Sequence, residues 1–171
     1  MTKEIKWWQV VLAAIVVSTL GAFSTGVGKK NQRKLYERKL KQAPWAPPAK
    51  LFGPAWMVNN YFLLRALKQL LENKNIPGKK KLLLKQAAIW AIFFSFGYVY
   101  FQKKSPLLAA IWTLADAWLG VSSFTNALRS NKRLAFDYLP LLAWTGYAGT
   151  VAVYQALKNP DSFLNTPAVT K

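Results

Sequence analysis

The chain has 171 residues, enough for one domain, with 53% hydrophobic and 18% charged residues, a net charge of +18 and neither cysteine nor histidine. Those absences exclude disulfides, thiolate nucleophiles, Cys- or His-ligated zinc and His-ligated haem, and they remove the usual general base near neutral pH. The positive charge does not point to nucleic acid, because Lys and Arg flank apolar runs instead of forming a basic face on a soluble fold. Runs of about twenty residues suit the roughly 30 Å of hydrocarbon in a bilayer, and anionic headgroups are the expected partner of the flanking charges. The six acidic residues form no metal-ligand cluster in the sequence, so no metal is expected.

The expected architecture is an all-α membrane protein, a five-transmembrane-helix bundle with a long basic first loop. The first span covers about 7–27. Lys3 and Lys6 ahead of it, and the small residues Ala22, Ser24 and Gly26 at its end, resemble a signal peptide. Its length and the interfacial pair Trp7 and Trp8 favour a retained helix. A basic connector follows, in which segment 31–42 is expected to form a short helix on the headgroups. The run Pro44, Trp45, Ala46, Pro47, Pro48 then stops it and leads stiffly into the next span. The second span, 51–71, has Pro54 in its first turn, where a missing N–H costs nothing. The third, fourth and fifth spans are expected over 82–101, 107–128 and 134–157, joined by short polar turns that make neighbours antiparallel. Residues 1–158 thus form one domain and 159–171 a flexible tail. Strands could not cross lipid with their backbone groups unpaired. Five spans place the termini on opposite sides, but Lys and Arg divide almost evenly between the two faces, so orientation stays open.

Arg65, Asp116 and Asp137 fall inside the spans. A charge at mid-membrane costs at least roughly 2.5–3.5 kcal/mol, so it is expected to face the bundle interior and find a partner. At about 1.5 Å per residue, Arg65 lies roughly 20 Å into its span and Asp116 roughly 14 Å into a span starting on the same side. An Arg65–Asp116 pair is the expectation, with Asp137 as the competing partner. The alternatives are that Arg65 snorkels to the headgroups and that Asp116 is protonated or bonded to a hydroxyl such as that of Thr113.

Eight tryptophans are many for this length. An interfacial belt accounts for Trp7 and Trp8, but Trp112 and Trp144 sit well inside their spans, and Trp45 and Trp56 flank the proline lead-in. Buried indoles fill volume and need a partner for the N–H, so plain packing and an aromatic ligand cavity both fit. Ala87, Ala91 and Ser95 recur at a spacing of four on the third span, a candidate homodimer seam. Val151, Tyr154 and Lys158 match the loose pattern proposed for cholesterol contact.

Trp45-Ala-Pro47-Pro48 followed by Phe52-Gly53-Pro54-Ala-Trp56 resembles the signature of the translocator protein / tryptophan-rich sensory protein family (TspO/MBR). Tyr36 and Leu40 stand where that family has an aromatic residue and a leucine. The stretch Trp112 to Asp116 is similar to the family's fourth helix, and Tyr138-Leu139-Pro140 through Ala143-Trp144 and Tyr147-Ala148 to its fifth. The resemblance implies a five-helix bundle, often dimeric, with a pocket at one end covered by the first loop. It also implies a ligand such as protoporphyrin IX, a related tetrapyrrole or a sterol, and no required cofactor. By position, Trp45, Phe52, Trp56, Trp112, Ala115, Leu119, Trp144, Tyr147, Ala148 and Val151 would line or cover that pocket. Basic loop residues could attract propionates. The chain departs from the pattern at Asn60, where the family usually has tyrosine, and at Ala87 and Ala152, where it has asparagine.

A membrane receptor, sensor or carrier for such a ligand is therefore the leading expectation. A photo-oxidative porphyrin-degrading enzyme and a structural or transport subunit are the alternatives, and no catalytic residue is assigned. The membrane itself is not readable from the chain.

Overall fold

The computed structural model describes residues 5–73 and 75–170. Lys3, Glu4, Lys74 of the loop after the second long helix, and Lys171 lie outside them. The described residues are helical throughout, in the order α1 (Trp7–Ser24), α2 (Lys29–Lys34), α3 (Phe52–Glu72), α4 (Lys79–Gly97), α5 (Pro106–Leu128), α6 (Lys132–Phe136) and α7 (Leu139–Lys158). A π-helical turn, Leu35–Lys39, follows α2; another, Tyr98–Gln102, extends α4; and a short 3-10 turn, Ala49–Leu51, leads into α3.

Among the described residues, three stretches are long and apolar enough to cross a membrane: Trp7–Ser24, Lys79–Gln102 and Pro106–Leu128. The helices α3 and α7 have the length, 21 and 20 residues, but are more polar. They carry Asn59, Asn60 and Arg65, and Thr145, Thr150 and Gln155. A helix that places polar groups inward can still lie in a bundle, and the buried side chains Asn59, Asn60, Thr145 and Gln155 do so here.

Helix ends follow local chemistry. Gly26 takes the left-handed backbone (φ +59°) that turns the chain out of α1. Ser105 caps α5, its Oγ accepting from the Leu108 amide at 3.2 Å, with Pro106 in the first turn. The continuous fifth helix expected over 134–157 is divided: α6 ends at Phe136, and α7 starts at Leu139 with Pro140 in its first turn. Proline lacks the N–H that an unbroken helix would need there and disfavours a helical residue before it. Asn131 caps α6.

The tightest pairing is between α5 and α7, with α1 on α3 next. Gly97 lets α1 and α4 cross closely, since a β-carbon there would stand 3.0 Å from the Thr25 Cα. One half of the bundle holds a core of Leu63, Ala66, Leu70, Leu82, Ile89, Leu119, Leu134, Tyr138 and Leu141. The other half is smaller and aromatic, with Tyr36, Tyr100 and Ala109 packed against Phe52, Phe96 and Phe101. Helix α1 is peripheral: only Val10 and Ala14 are buried, while Leu12, Ile15, Val16, Leu20 and Phe23 are exposed.

The segment after α7, expected to be a flexible tail, folds back on the bundle. Asp161 and Thr166 exchange backbone hydrogen bonds of 2.9 and 3.0 Å, and the Val169 amide donates to the Leu157 carbonyl at 3.0 Å. Asp161 Oδ2 accepts from Ser105 Oγ (2.5 Å) and from the Leu107 amide (3.1 Å) at the start of α5. Burial works against ionising Asp161, but these bonds and those from the Leu164 and Phe163 amides outweigh it and hold the carboxyl below its usual range.

Candidate functional site

The aromatic half of the bundle contains a cleft with about 40 Å³ of free space between α3, α4, α5 and α7. That is far below the range for small-molecule pockets, so the walls stand nearly closed on one another. Phe52 and Trp56 come from α3, Ile92, Phe93 and Phe96 from α4, Thr113 and Asp116 from α5, and Trp144, Thr145 and Ala148 from α7. Helical spacing explains the set: Phe52 and Trp56, Phe93 and Phe96, Thr113 and Asp116, and Trp144 and Ala148 are each three or four residues apart and share a helix face. Ring contacts tie the walls together. Phe52 meets Trp144 edge-on at 5.5 Å and Tyr36 at 5.1 Å, and Trp56 meets Phe93 at 5.0 Å.

The connector between α1 and α3 forms a lid at this end, fastened almost entirely by neutral hydrogen bonds. Tyr36 donates its hydroxyl to the Pro47 carbonyl at 2.8 Å. Burial first, and then Tyr147 and Glu37 nearby, push the Tyr36 phenol up to about 12, so it stays a neutral donor through the physiological range. Gln155 of α7 donates to Gln42 Oε1 (2.6 Å) and accepts from the Tyr100 hydroxyl (2.8 Å). Asn159 accepts from the Lys41 amide at 2.7 Å and donates to the Lys41 carbonyl at 3.1 Å. Trp45 donates its indole N–H to Thr150 Oγ1 (3.0 Å), its carbonyl accepts from the Tyr147 hydroxyl (2.6 Å), and its ring lies edge-on to Tyr154 at 5.6 Å.

Of the residues expected at a pocket, Phe52, Trp56, Trp144 and Ala148 line the cleft, and Trp45 and Tyr147 form the lid's contact with α7. The others lie elsewhere. Trp112 donates its indole N–H to Ser95 Oγ at 2.8 Å and clasps α5 to α4. Leu119 belongs to the aliphatic core in the other half, Val151 is buried, and Ala115 is half-buried off the lining. Ile92, Phe93, Phe96, Thr113 and Thr145 were not anticipated. The aromatic run 92–96 of the third span was the available signal. Ser95, read as part of a dimer seam with Ala87 and Ala91, is engaged by Trp112 within the chain, while the two alanines are exposed. Asn60 turns away from the cleft, its Nδ2 donating to Ser18 Oγ of α1 at 2.9 Å.

The interior charges pair differently from the Arg65–Asp116 expectation. Arg65 forms its ion pair with Asp137, Nε to Oδ1 at 2.7 Å, and Gln69 donates to Asp137 Oδ2 at 2.5 Å. The break between α6 and α7 brings Asp137 to the α3 face carrying Arg65 and Gln69, which rise along the sequence could not reveal. Asp116 is left 2% exposed on the cleft wall, with Oδ1 meeting no hydrogen-bond donor.

A family model described as TspO/MBR family matches residues 10–157. The chain is also 29% identical, over 164 aligned residues, to a protein described as a translocator protein homolog from Schizosaccharomyces pombe; the alignment covers 90% of this chain and 92% of that one.

Proposed function

The chain belongs to the TspO/MBR family, and from that premise we propose that it is a multi-pass membrane protein that binds a flat, apolar ring ligand, a tetrapyrrole or a sterol, in the cleft beneath its lid. In this reading all five long helices cross the bilayer, α3 and α7 tolerating their polar residues because these face inward. The basic residues of the lid and turns meet anionic headgroups. The protein acts as a sensor or carrier. One observation carries the proposal: three of the four lining helices, α3, α4 and α7, converge five aromatic rings, Phe52, Trp56, Phe93, Phe96 and Trp144, on one gap. Such walls suit a planar apolar body through burial and offset or edge contacts.

With about 40 Å³ of free space the cleft is nearly closed, so a macrocycle enters only as the lid's hydrogen bonds release and the walls part. Titrating the detergent-solubilised protein with protoporphyrin IX while following tryptophan emission tests the reading. Saturable quenching at micromolar ligand is expected, weakened by Trp144→Phe and less by Trp45→Phe. Linear, non-saturating quenching, identical in the variants, would sink it.

A further inference from the structure

The cleft lining is apolar except at Thr113, Asp116, Thr145 and the two indoles. The threonines commit their hydroxyl protons to the carbonyls four residues back, Thr113 to Ala109 (2.8 Å) and Thr145 to Leu141 (2.7 Å), so they offer the gap only lone pairs. Asp116 adds a carboxyl whose Oδ1 is met by no donor, and neither Trp56 nor Trp144 hydrogen-bonds to it. The interior cations are engaged elsewhere. Arg65 is held by Asp137, and Lys85 donates to the Ser122 carbonyl (3.0 Å) and Oγ (2.5 Å). Nine-tenths and more of Asp116 is buried, in a setting where an unpaired polar atom is costly and a completed hydrogen bond to a carboxyl is strong.

We propose that Asp116 is the polar recognition point of the cleft, selecting a ligand whose flat apolar body carries a hydroxyl or N–H donor. This rests on the reading of the cleft as a binding site and narrows it to one chemical class. The aromatic rings hold the body without regard to its polar end, and the carboxyl distinguishes donors from acceptors of the same shape. With its carboxyl ionised, Asp116 is an acceptor only, so an ether or ketone in place of the donor buries equal area but leaves it unpaired, and that difference sets the selection.

The test is energy transfer from tryptophan to dehydroergosterol, which bears a 3-hydroxyl, and to its 3-methyl ether, with protoporphyrin IX quenching alongside. The proteins are wild type, Asp116→Asn and Asp116→Leu in detergent. In wild type the hydroxyl probe is expected to bind about tenfold more tightly than the ether. Asp116→Leu should bind both alike, and Asp116→Asn, which keeps a carbonyl acceptor, should retain part of the preference. Thermal melts check the fold, and neither variant should melt below wild type. If Asp116→Leu does not fold, the wild-type ratio against Asp116→Asn decides. Equal binding of the two sterols by wild type overturns the inference while leaving the binding reading intact. Binding of protoporphyrin IX alone, equally strong in wild type and Asp116→Leu, does the same. If no probe saturates, the binding reading itself falls, and the inference with it.

Discussion

The two ends of the bundle are closed by different physics. At the end away from the lid, aliphatic side chains fill the interior, and an ion pair, Arg65 with Asp137, is braced by Gln69. At the lid end the interior is aromatic and incompletely filled, and the closure is a row of neutral hydrogen bonds from the connector to α7. A buried charge pair is an all-or-nothing fastening, since loss of either partner strands the other. Neutral bonds can be released one at a time, each worth about 0.5–1.5 kcal/mol net. The first fastening is lost as a unit, the second bond by bond.

The largest expected effect comes from breaking the permanent end. Asp137→Ala leaves Arg65 unpaired and should lower stability by about 3 kcal/mol, the low side of the usual range because the Arg65 side chain is one-third exposed. Thermal unfolding in detergent measures it, and a loss no larger than that of a lid variant would erase the contrast between the ends. Next is Gln155→Leu, which removes the acceptor of Tyr100 and the donor to Gln42. It should cost about 2 kcal/mol, mostly in lid closure, and appear as faster tryptic cleavage at Arg38, Lys39 and Lys41. Protection of those sites equal to wild type would show that the lid is held elsewhere. Trp45→Phe keeps a ring against Tyr154 but loses the bond to Thr150, so a smaller rise in cleavage, about 0.5–1 kcal/mol of lid closure, is expected.

The smallest effect is a pH dependence confined to the lid end. The Asp161 carboxyl is held below its usual range in the folded chain, so its stabilisation is complete above the unfolded-state value near 3.9. It is lost as pH falls through the lower, folded value. Hydrogen exchange at the Phe163 and Leu164 amides, which donate to Asp161, should quicken over that acid window and do so at higher pH in Ser105→Ala.

Much of this was legible from residue order. Apolar runs bounded by proline, glycine or clustered lysine read as long helices, and the described residues carry helices over those runs, the fifth interrupted before Pro140. The proline lead-in with Trp45, Phe52 and Trp56 pointed to the lid end, since motif and cleft are neighbours along the chain. What stayed hidden depended on rotation about helix axes and on one break. A rise of 1.5 Å per residue gives depth but not facing. Asp116 stands on the cleft wall at the lid end and Arg65 toward the opposite end, whereas Asp137 is carried to Arg65 by the interruption before Pro140. Leu119 and Val151 are expected at the pocket by position, but their own helix faces turn them into packing. The polar character of α3 and α7 made sense only once their burial was visible.

The π-helical turn at Tyr98–Gln102 fixes how the lid end tolerates changes of chain length. Its i to i+5 bond, Lys103 N to Tyr98 O at 3.1 Å, holds one residue more than an α turn would. Deleting a single residue from 98–99 would let the helix relax to α and swing the Tyr100 side chain by about 100° away from Gln155. A one-residue deletion here would thus loosen the lid at Gln155 without touching the lid's own sequence, whereas the same deletion in the turn 129–131 would leave the lid's bonds untouched.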